Sequence, residues 1–142
     1  MTVRTLLVAH DGSADADRAL AWARDLADQT GARLVVVRSW SPLDDLGGPA
    51  PHDPAALHAR AAADLEADVA AVVAPARVEV HLVDDLPVPG VLRCAAEVGA
   101  DAIVCGSRGQ GRVRELVLGS VAHGLTLGSG VPVVVVPGPD AD

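Results

Sequence analysis

Val104-Cys-Gly-Ser-Arg-Gly-Gln-Gly-Arg-Val-Arg-Glu-Leu-Val-Leu-Gly-Ser-Val121 is the stretch on which the reading of this chain turns. The apolar run Ala102 to Cys105 leads into it. Gly106, Gly109 and Gly111 follow, with Arg108, Arg112 and Arg114 set among and after them. A second pair, Gly119-Ser120, opens a helical pattern. Glycines let a backbone turn tightly and let a ligand come close to its N–H groups. A Gly-Ser pair at a helix start offers N–H donors and a hydroxyl to an anion. The stretch therefore reads as a phosphate cradle behind a buried strand. On spacing alone it reads equally as a glycine-rich surface loop capped by a Ser-initiated helix, because short glycine motifs recur by chance.

The segments around it alternate between strand and helix patterns. Val3 to Ala9 reads as a strand, and Leu6 to Ala9 is consecutively apolar, as in a parallel strand covered on both faces. His10-Asp11-Gly12-Ser13 is a turn ending in an N-cap candidate. Ala14 to Thr30 reads as a helix with Ala16, Leu20, Ala23 and Ala27 in one stripe, Trp22 and Leu26 at its flank, and Gly31 as C-cap. Arg33 to Trp40 is the second strand. Ser41 to Pro54 holds four prolines and two glycines and reads as a loop. Ala55 to Val73 is the second helix, and Arg77 to Val83 an alternating strand near a sheet edge. Asp84 to Pro89 reads as a turn and Val91 to Val98 as a short helix closed by Gly99. Ala102 to Cys105 and Val133 to Val136 are the fourth and fifth strands. Ser120 to Leu127 is the helix between them, although Gly124 and Gly128 each cost about 1 kcal/mol against alanine. Such alternation implies an α/β fold, a parallel sheet with helices on both faces.

Composition narrows the function. The 142 residues suit one domain with its own core. Half are hydrophobic but only Trp22 and Trp40 are aromatic, so Val, Leu and Ala must build that core. The net charge of −8 argues against non-specific nucleic-acid binding and against an anionic membrane surface. No apolar run approaches the roughly 18 residues of a membrane span, and the N-terminus lacks a signal-peptide pattern. Cys94 and Cys105 fit reduced thiols better than a disulfide framework. These readings point to the cytoplasm. Every basic residue is arginine. The missing lysine rules out a Walker A loop and makes a two-component receiver a poor fit, and the order G-x-x-G-x-G is not the dinucleotide fingerprint G-x-G-x-x-G. The histidines His10, His52, His58, His81 and His123 show no metal-ligand spacing. Cys105, with no His or Asp partner evident, reads as a wall or core thiol, and Asp84-Asp85 as a solvated turn.

Ligands of parallel α/β sheets sit beyond the carboxyl ends of the strands, where strand order reverses. Asp11-Gly12-Ser13 follows the first strand and the Gly106 stretch follows the fourth. If those strands are neighbours, both turns face one crevice of nucleotide size. Asp11 alone reads as an Asx-turn or N-cap as well as a ligand group.

The spacing Gly-x2-Gly-x9-Gly-Ser, from Gly106 through Gly109 to Gly119-Ser120, resembles the ATP-binding signature of the universal stress protein family. Val8 to Ser13, Ala100 to Val104 and Val131 to Val136 resemble that family's opening strand and acidic turn, the segment before its signature and its closing strand. The resemblance covers nearly the whole chain. It implies a single-domain, Rossmann-like, three-layer α/β/α sandwich with a five-stranded parallel sheet in the order 3-2-1-4-5. It implies ATP as ligand, with ADP or AMP as alternatives and Mg²⁺ on the phosphates. Asp11 would sit at the adenosine end, with Ala9 and Ser39 lining the adenine pocket. Cys105, Gly106 and Gly109, with Ser107 between them, would run under the ribose and phosphates. Gly119, Ser120 and Val121 would donate N–H groups and a hydroxyl to the phosphates. No general base stands near that end, which implies slow hydrolysis or none. Family members commonly dimerise through the last strand, here the apolar Val133 to Val136. Three positions depart from the family pattern: Ala9 where proline is frequent, Cys105 where methionine is, and Asp85 where glycine is. The other reading of the residues is a dimeric interaction module of the same fold that binds no nucleotide.

Overall fold

The structure is a computed structural model and describes residues 2–41, 53–108 and 118–139. Its strands are β1 (Thr5–Ala9), β2 (Arg33–Trp40), β3 (Glu79–Asp84), β4 (Ala102–Gly106) and β5 (Val133–Val136). Its helices are α1 (Ala14–Thr30), α2 (Pro54–Ala70), α3 (Pro87–Val98) and α4 (Ser120–Gly128). All strand pairs are parallel, and the sheet order is β3-β2-β1-β4-β5. Leu7 of β1 lies between Val35 of β2 and Ile103 of β4.

Strand periodicity sorts the core into two halves. Leu6 and Val8, with Leu34, Val36, Ala102 and Val104, face α1 and α2 through Ala19, Leu20, Ala23, Leu65 and Val69. The alternate residues Leu7 and Ala9, with Val35, Val37, Ile103 and Cys105, face α3 and α4 through Val91, Cys94, Ala95, Ala122 and Leu125. The consecutive apolar runs are thus the signature of a sheet covered on both faces. The alanines of α1 let that helix lie close to the sheet and make up for the scarcity of aromatic residues. Trp40 is buried against Leu57 and Ala61 and meets the His58 ring edge-on at 5.4 Å. Trp22 stands 41% exposed on α1.

The element order agrees with the sequence reading, and the differences lie at the ends. α1 and β2 have the expected bounds. Ser13 caps α1 by accepting from the Ala16 N–H, and Gly31 ends it in the left-handed conformation at φ 75°. α2 starts one residue early, at Pro54, because Asp53 caps it by accepting from the Ala55 N–H. It stops at Ala70, and a 3₁₀ turn at Pro75–Arg77 takes the start of the expected third strand. α3 begins at Pro87 rather than Val91. Pro87 is its first residue and Pro89 its third, where a missing N–H breaks no intrahelical bond. Most of the expected loop from Ser41 to Pro54 lies outside the described residues.

Candidate functional site

The carboxyl ends of β1, β2 and β4 open into a cavity of about 510 Å³. Its floor is apolar. Ala9 ends β1, Val37 belongs to β2, Cys105 to β4 and Val91 to α3, with Ser39 and Pro87 on the β2–α3 side. His10, Asp11 and Ala16 form one wall. Gly106, Arg108 and the segment Leu118 to Ala122 close the β4–α4 side. Strands 1 and 4 are neighbours, so the two turns singled out in the sequence face one crevice.

The expected site residues divide as follows. Ala9, Asp11, Ser39, Cys105, Gly106, Gly119, Ser120 and Val121 all line the cavity. Ser107 stands outside that lining. Its carbonyl accepts from the Gly119 N–H at 2.7 Å, its N–H donates to the Val136 carbonyl, and its hydroxyl accepts from the Gly138 N–H. It therefore ties β4 to the start of α4 and to the segment after β5. Gly109, Arg112 and Arg114 lie outside the described residues. Pro87, Val91 and Leu118 belong to the lining but carry no polar signal by which a sequence would mark them.

The four helix starts are unlike one another. Ser13 caps α1 and Asp53 caps α2. In α3, Pro87 and Pro89 remove two of the early N–H groups. In α4 the N-cap is Gly119, which has no side chain to cap with, and the first intrahelical bond runs from His123 N–H to the Gly119 carbonyl. The early N–H groups, of Ser120, Val121 and Ala122, thus sit at an uncapped helix start on residues that line the cavity. Such an end favours an anion, through both its donors and the helix dipole.

Gly106 is required by packing. A Cβ built there would lie 2.9 Å from the Asp15 backbone carbon, carbonyl oxygen and Cβ. The end of β4 therefore rests directly on the first turn of α1. Asp15 receives Arg18 Nη1 at 2.6 Å and Arg108 Nε at 3.7 Å.

Asp11 makes the Asx-turn, its Oδ1 accepting from the Ser13 N–H at 2.9 Å. Gly12 takes φ 88°, a conformation open chiefly to glycine, and its N–H donates to His10 Nδ1 at 3.1 Å. His10 is only 3% exposed. Arg38 Nη2 lies 2.7 Å from the same Nδ1, and Asp17 Oδ1 lies 2.8 Å from Nε2. Two donors on Nδ1 assign the ring proton to Nε2, which donates it to Asp17. Arg38 also donates to the His10 carbonyl and to Asp68 of α2 at 2.9 Å. This network was missed in the sequence, but a signal was present. Arg38 follows four consecutive apolar residues, Leu34 to Val37, and a charge that follows such a run needs a partner where it is buried.

Burial pushes the Cys105 thiol up to about 11. It is a wall of the cavity, where burial disfavours its thiolate. Asp85, read as part of a solvated turn, instead pairs with Arg93 at 3.0 Å and accepts from the Leu86 N–H. Among the described residues, no three His, Cys, Asp or Glu side chains are grouped as metal ligands. No described helix is long and apolar enough to cross a membrane.

The sequence model of the Universal stress protein family matches residues 2–137. A Thermus aquaticus protein described as a universal stress protein in a QAH/OAS sulfhydrylase 3′ region is 35% identical over 134 residues, covering 94% of this chain and 98% of its own. Two solved structures are also similar. One is a universal stress protein in complex with cAMP, 26% identical with a TM-score of 0.68, covering 96% of this chain and 98% of the other. The second is the Archaeoglobus fulgidus universal stress protein in complex with dAMP, 27% identical with a TM-score of 0.63, covering 95% and 98%.

Proposed function

The chain belongs to the universal stress protein family, and from that premise we propose that it is a cytoplasmic stress-response protein that binds ATP and hydrolyses it slowly or not at all. The observation that carries this reading is the uncapped N-terminus of α4 opening into an apolar cavity of nucleotide size. The apolar β2–α3 side suits adenine. The N–H groups of Ser120 and Val121, the Ser120 hydroxyl and the Arg108 guanidinium suit phosphates. Relatives solved with cAMP and dAMP support an adenine nucleotide. Magnesium keeps several waters and takes few protein ligands, so Mg²⁺ would be carried on the phosphates themselves.

The reading of weak or absent hydrolysis rests on His10. It lines the cavity, but Asp17, Arg38 and Gly12 occupy both of its ring nitrogens. It offers no lone pair to a water beside a phosphate. The cytoplasmic reading rests on Cys94 and Cys105, both free and buried.

Calorimetric titration of the purified protein with ATP, ADP and AMP tests the site. Wild type is expected to bind, and a Gly119→Val, Ser120→Ala variant to bind at least about tenfold more weakly, since it blocks and removes phosphate donors. Equal binding by both proteins would sink the assignment. Mass spectrometry of the denatured wild type gives a second readout through any co-purified nucleotide.

The same reading includes a homodimer across β5. Val133 to Val136 form an outer strand of the sheet and are all half-buried. A second copy pairing there would cover an exposed edge symmetrically. A monomer by light scattering at micromolar concentration would count against it.

A further inference from the structure

We propose that His10 is a positioning residue for nucleotide binding: its buried ring holds the turn on which Asp11 stands and so sets the place of that carboxylate in the cavity wall. The inference rests on the adenine-nucleotide reading and adds to it a determinant of affinity that reaches the ligand only through another side chain.

Every polar group of His10 is engaged. Its N–H donates to the Val37 carbonyl of β2 at 2.9 Å, and its carbonyl accepts from Arg38 Nε at 3.2 Å. Its Nδ1 accepts from the Gly12 N–H at 3.1 Å and from Arg38 Nη2 at 2.7 Å. Its Nε2 donates to Asp17 Oδ1 of α1 at 2.8 Å. Asp68 of α2 holds Arg38 in turn. The side chain of His10 is 0% exposed. Turning this ring would leave two donors on one side and a proton on the other without partners in the interior, which is costly.

Asp11 stands between His10 and Gly12, and His10 and Asp11 both line the cavity. Glycine gives the turn its conformational freedom, and the bond from the Gly12 N–H to the ring removes it. The carboxylate of Asp11 can only accept hydrogen bonds and repels phosphate. The donors of an adenine nucleotide are its ribose hydroxyls and its base amine, so Asp11 serves the nucleoside part. Its Oδ1 accepts from the Ser13 N–H, and a carboxylate offers about four acceptor positions in all. Hydrogen bonds weaken steeply as distance and angle depart from the optimum. A ring that fixes the turn therefore fixes what Asp11 contributes to affinity.

A double-mutant cycle tests this by calorimetry, with whichever of ATP, ADP and AMP wild type binds most tightly as the probe. Asp11→Ala and His10→Leu should each weaken binding about tenfold, as expected for a hydrogen bond to a charged group. His10→Asn keeps an acceptor near Nδ1 and should bring affinity back to within about threefold of wild type. In the Asp11→Ala background, His10→Leu should cost less than about twofold more, because the side chain it positions is gone. Where His10→Leu does not fold, Asp17→Ala, which removes the acceptor of the ring proton, takes its place in the cycle with the same non-additivity expected. A ring with a structural role alone would weaken binding by the same factor in both backgrounds, and that result overturns the proposal. Unchanged binding in Asp11→Ala also overturns it, as does a His10→Asn variant as weak as His10→Leu. Wild type that binds none of the three nucleotides overturns the nucleotide reading itself, and the proposal with it.

Discussion

Arg38 Nη2 lies 2.7 Å from Nδ1 of the buried His10 and also holds Asp68, so one guanidinium joins β1, β2 and α2 behind the cavity wall. The His10 ring in turn fixes the turn that carries Asp11, through the Gly12 N–H. The proton is therefore expected on Nε2, and nitrogen chemical shifts of the labelled imidazole check it. His10→Asn keeps an acceptor near the Nδ1 position and should retain most of the stability. His10→Leu leaves Arg38 and the Gly12 N–H without that acceptor and should cost about 1–3 kcal/mol in urea unfolding. Equal stabilities of the two variants would contradict the assigned role.

Asp101 holds the start of β1, its Oδ2 accepting from the Arg4 N–H at 2.8 Å and the Thr5 N–H at 2.9 Å. These bonds keep its carboxyl below the usual value of 3.8, the Arg4 N–H contributing most. A carboxyl lowered in the folded state stabilises above the unfolded value, and that contribution is lost as pH falls through the lowered one. At neutral pH the melting temperatures should rank wild type, then Asp101→Asn, then Asp101→Ala, because the asparagine oxygen still accepts both bonds. Below about pH 3.8 wild type should converge on Asp101→Asn. A constant gap between those two proteins at all pH values would refute the linkage.

Much of the fold was legible because its determinants are local. Leu6 to Ala9 and Leu34 to Val37 are buried as unbroken runs, and only a strand covered on both faces needs such a run. Ser13 and Gly31 mark the ends of α1 by chemistry that acts within four residues. Pro87 and Pro89 misled because proline suggests a turn, yet it is equally suited to a helix's first turn. The glycine spacing brought Gly106 and Gly119 to one cavity. It could not reveal that Gly106 is small because Asp15 lies against it, a contact across 91 residues of sequence. The link of Arg38 to Asp68 and His10 likewise spans three elements, and no local pattern encodes it.

Gly124 weakens α4 by helix propensity, and its neighbour explains it. A Cβ there would lie 2.7 Å from Val88 Cγ2, where α3 and α4 press together. Valine in a helix is stiff about χ1 and cannot swing aside cheaply. Gly124→Ala should therefore destabilise by about 1–2 kcal/mol, the overpacking exceeding the roughly 1 kcal/mol gained in propensity. Gly124→Ala combined with Val88→Ala should be more stable than the sum of the single changes predicts. Additive effects in urea unfolding would remove Val88 as the cause.

Cys105 allows an unusually clean alkaline test, because the chain has no lysine and no tyrosine. Above pH 9 its cysteines are then the side chains left to titrate, since arginine stays charged. Burial raises the Cys105 thiol from 9.0 to about 11, and burial raises Cys94 as well. A group raised in the folded state contributes fully below its unfolded value, and the contribution disappears as pH climbs through the raised one. Stability should thus fall between pH 9 and about 11, with Cys105 accounting for about 2–3 kcal/mol of the loss. Cys105→Ala should start lower at pH 8, from the lost packing, but decline less steeply, with Cys94 supplying the remaining slope. Urea unfolding at half-unit steps from pH 8 to pH 11 measures both slopes. Parallel curves for the two proteins would mean that Cys105 ionises as freely in the folded cavity as in the unfolded chain.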